Sequence, residues 1–233
     1  MNTTILLTTR YKSTRLPGKH TMKINGHTVT DILIGRLKRC KIPIIMCIPD
    51  TPEDVEHMKP IAERNKIGFF AGEPTNIIKR HVDCALANEI DWIILSEGDD
   101  FLVCPETINA VNWAIKSKRN KIDCIKTLGL PYGLNVIAYK SEILKDINYN
   151  NDTNWGEKVL KNPYELKFNY DVQYRLSMDY EEDFEVMKNV YENCKRNTVV
   201  SAIIKYLNKN PEIPKINQKR HKECMERAKK LSV

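Results

Sequence analysis

Short apolar runs alternate with helical stripes along most of this chain, and that alternation limits its fold more than any other feature. Thr4 to Thr9, Ile42 to Ile48, Ile67 to Phe70 and Trp92 to Leu95 have strand length and are rich in β-branched residues. Between them lie helix patterns. Val29, Ile32, Leu33 and Leu37 form one stripe. Pro52 opens a helix that runs to about Asn65, and another begins near Thr75 with Ile77, Ile78, Val82, Ala85 and Leu86 inward. Pro105 starts a further helix, and strands follow at Cys124-Ile125 and Asn135 to Tyr139. Strand and helix at this spacing predict βαβ units with right-handed crossovers. The sheet should be mainly parallel and covered on both faces, a three-layer α/β/α architecture.

Beyond residue 140 the pattern loosens. Asn and Asp crowd Asn148 to Asn154, which reads as an exposed loop within an irregular stretch from 147 to 173. Arg175 to Met178 reads as a short strand, Tyr180 to Cys194 as an amphipathic helix and Val199 to Leu207 as another. Asn210-Pro211 breaks the helix, and Gln218 to Leu231 forms a polar final one. The 233 residues fit one domain without repeat or linker, with 196–233 as a helical C-terminal extension.

Hydrophobic residues make up 42% of the chain, yet no apolar run approaches the roughly 20 residues a membrane helix needs. The N-terminus lacks the basic and apolar regions of a signal peptide. Seven cysteines are scattered with no Cys-x-x-Cys pair, which predicts buried reduced thiols and a cytoplasmic location without membrane contact. The net charge of +7 suits an anionic ligand. It also suits nucleic acid, but the basic stretch from Lys215 to Lys230 is mixed with Glu223 and Glu226 and has no aromatic residue. That pattern is a solvated helix rather than a nucleic-acid surface.

The first apolar run leads into Arg10-Tyr11-Lys12-Ser13-Thr14-Arg15-Leu16-Pro17-Gly18-Lys19. Four cations plus Ser13 and Thr14 in ten residues, closed by a Pro-Gly turn, make either a solvated basic loop or a cradle for polyphosphate. Arg offers a planar fork to phosphate oxygens and Lys a compact charge, while a turn can add backbone N–H groups. A loop after a buried parallel strand sits where open α/β sheets bind ligands.

The order Arg-x-x-Ser-x-Arg-Leu-Pro-Gly-Lys resembles the signature of the CMP-sugar synthetases. These are the cytidylyltransferases that activate Kdo and acylneuraminates, and the likeness is greatest to the SpsF-like, spore-coat polysaccharide branch. It implies a Rossmann-like nucleotidyltransferase fold and CTP as nucleotide. Arg10, Ser13, Arg15 and Lys19 would then contact the triphosphate, with Lys19 near the α- and β-phosphates. Lys19, Arg10 and Arg15 would be the catalytic cations.

Gly98-Asp99-Asp100 follows the run that ends at Leu95. By itself this is a turn acid or helix cap. In the resembling family a Gly-Asp step carries a metal-binding carboxylate, and Asp99 falls on it, with Phe101 where Pro is usual. The resemblance likewise makes Asp179 the second metal ligand, for Mg²⁺. On residues alone, Asp179 with Glu182 reads as a capping box and Asp183 as a first-turn structural acid. Arg80 matches a family arginine near nucleotide and acceptor, although Lys79, Arg80 and His81 alone suggest a solvated basic face. The Ala71 to Asn76 loop resembles the cytosine-reading segment, with Asn76 as a side-chain contact. His20 reads as polar loop surface.

For the acceptor, Pro131-Tyr132-Gly133-Leu134-Asn135-Val136 resembles a family element, which points to Tyr132 and Asn135. Trp155-Gly156-Glu157 keeps only Glu157 of the branch's usual Arg-Glu-His. Asn210-Pro211-Glu212-Ile213-Pro214-Lys215-Ile216-Asn217 also looks like the SpsF-like tail. Together these imply an Mg²⁺-dependent enzyme that transfers CMP from CTP to an acidic sugar, or to a phosphonate- or phosphate-bearing acceptor. Pyrophosphate is released, the product serves surface glycan synthesis, and the family precedent is a homodimer. A metal-dependent glycosyltransferase and a non-catalytic nucleotide-binding module are the alternatives. The ordered basic signature disfavours the first, and retention of Asp99 and Asp179 disfavours the second.

Overall fold

The chain's structure is a computed structural model that describes residues 1–146, 159–170, 172–194 and 199–231. Strand β1 (Thr3–Thr8) sends Ile5 and Leu7 into one core layer and Leu6 into the other. A strand buried on both faces belongs inside a sheet. Accordingly, β1 pairs in parallel with β4 (Ile44–Pro49) on one side and β6 (Trp92–Glu97) on the other. With β5 (Gly68–Gly72), β7 (Cys124–Leu128), β8 (Ile137–Lys140) and β9 (Tyr164–Lys167), the sheet has the order β5-β4-β1-β6-β8-β7-β9. The mainly parallel α/β architecture is therefore as the alternation predicts.

Among the described strands of this sheet, β8 alone runs against its neighbours. The segment from Gly129 to Val136 that joins β7 to β8 is too short for the dozen or so residues a parallel crossover requires. Reversal at β8 leaves β7 and β6 pointing the same way. The segments after β1, β6, β7 and β9 therefore emerge at one edge of the sheet.

The helices cover the sheet unequally. The larger core layer holds α1 (Val29–Leu37), α2 (Pro52–Arg64), α4 (Pro105–Lys118), α5 (Glu181–Asn193) and α6 (Val200–Lys209). The smaller layer centres on α3 (Ile77–Ala87), with Cys84 against Leu6, Cys47 and Tyr139. The short helix α7 (Glu212–Lys215) leads into α8 (Gln218–Leu231). Local chemistry sets the starts. Thr28 accepts from the Asp31 N–H while Asp31 reaches back, a full capping box, and Thr51 caps α2 with Pro52 in its first turn. No described helix is long and apolar enough to cross a membrane, and all seven cysteines are free thiols.

Three local expectations change. The linker from Thr21 to Gly26 opens a small hairpin, in which β2 (Lys23–Ile24) pairs with β3 (His27–Thr28) just beyond it. Asn25 and Gly26 supply the two positive φ angles its tight turn needs. Arg175 to Met178 does not form a strand; only a single bridge joins Arg175 to Tyr132. The irregular stretch contains β9, which β7 recruits as an edge partner, a long-range pairing that a half-buried local pattern does not announce. The loop expected at Asn148 to Asn154 lies outside the described residues.

His81 on α3 is fully buried, 2.8 Å from the Tyr139 hydroxyl. Burial, then the charge of Arg80, pushes its pKa down to about 3. The unfolded chain takes up this proton near pH 6.5 and the folded chain does not, so stability is complete above that value and falls as pH drops. Between pH 6.5 and 5 the expected loss from His81 approaches about 1.4 kcal/mol per pH unit. Urea unfolding should detect it, and His81→Asn should flatten that part of the profile.

Candidate active site

The basic loop is tied down where it leaves β1. The Tyr11 N–H donates to Asp54 at the start of α2, the Tyr11 ring stacks on His57 at 3.7 Å, and Lys12 pairs with Glu53 at 2.8 Å. Ser13 Oγ accepts from the Leu16 N–H. Gly18 takes a left-handed conformation, φ 66°, and turns the chain into a one-turn helix over Lys19–Thr21. That turn aims Lys19 inward.

Lys19 is only 5% exposed, and its Nζ joins three groups. It lies 2.6 Å from Asp99 Oδ1 and 3.3 Å from Asp179 Oδ1, and it donates to the Met178 carbonyl at 2.9 Å. Arg15 also pairs with Asp179. Two carboxylates far apart in sequence thus meet on one ammonium.

Asp99 stands just past β6 beside Gly98. A Cβ at Gly98 would come within 2.8 Å of both His20 Cε1 and Thr9 Oγ1, so the close approach of these three segments needs glycine. His20 is not the polar surface group its sequence suggests. It is 2% exposed, with Nε2 3.4 Å from Asp99 Oδ1. Burial outweighs the attraction of Asp99 and pushes its pKa down to about 4, so the ring is neutral. At Asp100, burial first and then Glu97 raise the carboxyl well above its ordinary range.

Asp179 owes its place to residues that capping rules did not single out. Glu182 does not reach back to it. Instead Asp183 accepts from the N–H groups of Asp179 and Tyr180 at 3.0 and 3.1 Å, and Glu182 turns to Arg220. Asp183, read as structural from sequence, is completely buried. Arg175 binds it through Nε at 2.9 Å and gives Nη2 to Asp179 at 2.8 Å. Asn217 donates to Asp183 Oδ1 and to the Arg175 carbonyl, at 2.9 and 3.0 Å. Burial opposes charge on Asp179, but Lys19, Arg15 and Arg175 together hold its carboxyl below the usual range.

Lys19, Arg15 and Asp99 line a cleft of about 370 Å³ at the carboxyl edge of the sheet, together with Arg10, Ser13 and Arg80 among others, and Asp179 stands against it through its pairs with Lys19 and Arg15. Arg80 is not on a solvated face: it is 6% exposed and donates to the carbonyls of Glu73 and Pro74, holding the loop above the cleft. Glu97, which sequence reading did not select, also lines the cleft. Its side chain is exposed there. Desolvation by the surrounding protein atoms, and then the like charges of Asp99 and Asp179, push its carboxyl upward. Its position at the last residue of a cleft-edge strand was the available signal.

Other candidates are employed locally. Asn76 caps α3 by accepting from the Lys79 N–H at 3.0 Å. Asn135 hydrogen-bonds to Thr127 and to the carbonyls of Leu130 and Pro131, fixing the loop after β7. Tyr132 lies with its ring 5.1 Å from the Arg175 guanidinium and does not line the cleft. Glu157 lies outside the described residues.

Among the described residues, no cluster of three or more His, Cys, Asp or Glu forms a self-sufficient metal site. Asp99 and Asp179, converging on one ammonium, instead suit a cation that completes its shell with phosphate oxygens and water. Mg²⁺ characteristically binds through one or two carboxylates in this way.

Asp183→Asn should remove the charge that balances buried Arg175. Breaking a buried pair from one side costs on the order of 3 kcal/mol. Chemical denaturation should show that loss, and an unchanged midpoint would mean that Arg175 does not depend on Asp183.

No family model matches the chain. The spore coat polysaccharide biosynthesis protein SpsF of Bacillus subtilis (strain 168) is 26% identical over 236 residues, covering 89% of this chain and 94% of that protein. The 3-deoxy-manno-octulosonate cytidylyltransferase of Fusobacterium nucleatum subsp. nucleatum is 24% identical over 175 residues, covering 72% of this chain and 62% of the relative. Among solved structures, a cytidylyltransferase from Leptospira borgpetersenii serovar Hardjo-bovis has a TM-score of 0.81 at 22% identity. The match covers 92% of this chain and 97% of that one, and it establishes the shared fold. By sequence and by fold together, the chain is similar to the CMP-sugar synthetase superfamily of nucleotidyltransferases, on its SpsF-like side.

Proposed function

We propose that this chain transfers CMP from CTP to an acidic acceptor and releases pyrophosphate. The observation that carries the reading is the convergence of Lys19, Asp99 and Asp179 beneath the basic loop. The cleft offers cations for a triphosphate and carboxylates for a metal in one space. Without ligand, these opposite charges satisfy each other.

In this reading Arg10, Ser13 and Arg15 hold the β- and γ-phosphates and Lys19 the α–β bridge. An acceptor oxygen attacks the α-phosphorus in line, and its bond to the β-phosphate oxygen breaks. Lys19 then faces the charge that gathers on departing pyrophosphate, so it stabilises the transition state more than the ground state. Positioning and electrostatics supply most of the acceleration in phosphoryl-type transfers. Asp99 and Asp179 would hold Mg²⁺, which would supply charge neutralisation to the triphosphate. Neutral His20 and cationic Arg175 fix the directions of the two carboxylates.

Arg80 and the loop from Glu73 to Asn76 form the base side of the cleft. Main-chain groups of that loop read cytosine, with Asn76 setting its geometry as a cap. The acceptor approaches from the loop after β7, where Tyr132 and Asn135 lie, and Glu157 is its further candidate contact. A sugar acid, a phosphonate or a phosphate ester would each bring the anionic group this cationic surroundings favours. We read the chain as one catalytic domain. Its 196–233 extension braces Asp179 through Asn217, and assembly as a homodimer in the cytoplasm, serving surface glycan synthesis, completes the proposal.

Lys19→Ala should lower turnover by about a hundredfold or more, the scale of losing one preorganised donor to a developing anion. The assay is pyrophosphate release from CTP across a panel of acidic sugars, phosphonates and phosphate esters, with circular dichroism as the fold control. Unchanged turnover would remove Lys19 from the chemistry. Asp99→Asn should abolish the Mg²⁺-dependent rate; full activity in that variant would take the metal away from Asp99.

A further inference from the structure

Behind Asp179, away from the cleft, lies a second cavity of about 310 Å³. Its walls come from Arg175 and the residues before it, the end of α6, and the segment from Pro211 into the first turn of α8. That last wall takes Pro211, Pro214, Lys215 and Asn217 from the Asn210-to-Asn217 run, of which the catalytic reading uses only Asn217.

The lining is one-sided in charge. Arg175, Lys215 and His221 contribute basic groups, Gln173, Asn208 and Gln218 contribute amides, and none of the described lining residues is acidic. Two buried nitrogens on this wall, Arg175 Nη1 and His221 Nδ1, have no hydrogen-bond partner. Arg175 is itself only 3% exposed, and its Nε and Nη2 are committed to Asp183 and Asp179. A buried nitrogen without a partner carries an uncompensated desolvation cost. Burial, and then the charge of Arg175, also lowers the pKa of His221, so the two basic groups feel each other across the site. An anion between them would relieve both conditions.

We infer that this cavity is a binding site for a small oxyanion, a carboxylate or phosphate group, held by Arg175, His221 and Lys215. The Nη1–H groups of the Arg175 guanidinium can donate charge-assisted hydrogen bonds to such an oxygen, and the amides can take hydroxyls on the same ligand. The guanidinium that would meet the ligand also donates to Asp179. Occupancy therefore bears on the direction of that carboxylate. Only this effect on Asp179 rests on the catalytic reading; the binding does not.

Proton NMR of the five histidine C2–H signals tests it. Inorganic phosphate and, separately, sodium acetate are titrated at constant ionic strength, with His221→Gln assigning the His221 signal. A saturable shift of that signal is expected with at least one anion. Response to phosphate alone identifies a phosphate source, and response to acetate identifies a carboxylate. The shift should persist in Arg10→Ala/Arg15→Ala, which strips two cations from the cleft. In Lys215→Glu, a change at an exposed position, binding should weaken about tenfold. No shift with either anion, an undiminished shift in Lys215→Glu, or a shift that disappears in the cleft variant would each overturn the inference. The titration needs neither CTP nor an acceptor, so failure of the pyrophosphate assay leaves it intact, and the reverse holds as well.

Discussion

A buried guanidinium holds the acidic half of the cleft together. Arg175 grips Asp183 with Nε and Nη2 and shares Nη2 with Asp179, while Asp183 collects two backbone N–H groups and the Asn217 amide. Desolvating such charges is expensive, and a well-packed apolar set of the same volume could be equally stable. What the ion set contributes is direction. Asp179 lies at the start of α5, where a carboxylate could turn back as a cap or out to solvent. With Asp183 serving the backbone and Arg175 holding one oxygen, its other oxygen is left to face Lys19.

The cationic half is built by a different device. A flexible lysine is made directional by burial: the left-handed turn at Gly18 drives Lys19 inward, and three oxygens receive it. The loop around it is pinned through its backbone and the Tyr11 ring to the start of α2, which leaves Arg10 and Arg15 at the cleft. Rigid elements thus carry the anchors, and the loop carries the charge. The preorganised charge in such an arrangement costs no rearrangement when a ligand's own charge arrives.

The parallel sheet was legible because each central strand is apolar across both faces and each crossover carries a helical stripe. The hairpin around Asn25-Gly26 was legible only as a turn, since strands of two residues hold no period. β9 depends on which strand it meets across the sheet, which no local pattern encodes, whereas the reversal at β8 follows from the short connection between β7 and β8. In the site, ordered motifs led to Arg10, Arg15, Lys19, Asp99 and Asp179. His20 and Arg175 were harder to place. A loop histidine and a lone arginine look like solvent-facing groups until tertiary packing buries them, and Gly98 shows why His20 can be buried: its missing side chain makes the space. The capping box between Asp179 and Glu182 was a sound local expectation that a longer-range partner, Arg220, displaced.

The reversal at β8 also divides the molecule for anyone who wishes to alter it. Because the chain doubles back there, the loops after β1, β6, β7 and β9 crowd one rim of the sheet. The opposite rim gathers Met1, the turn after α4 near Asn120, and the end of β8 at Lys140. A tag, a surface anchor or a fused domain attached on that side would stand a full strand length from Lys19. The fold thus offers a handle as far from its chemistry as the sheet allows.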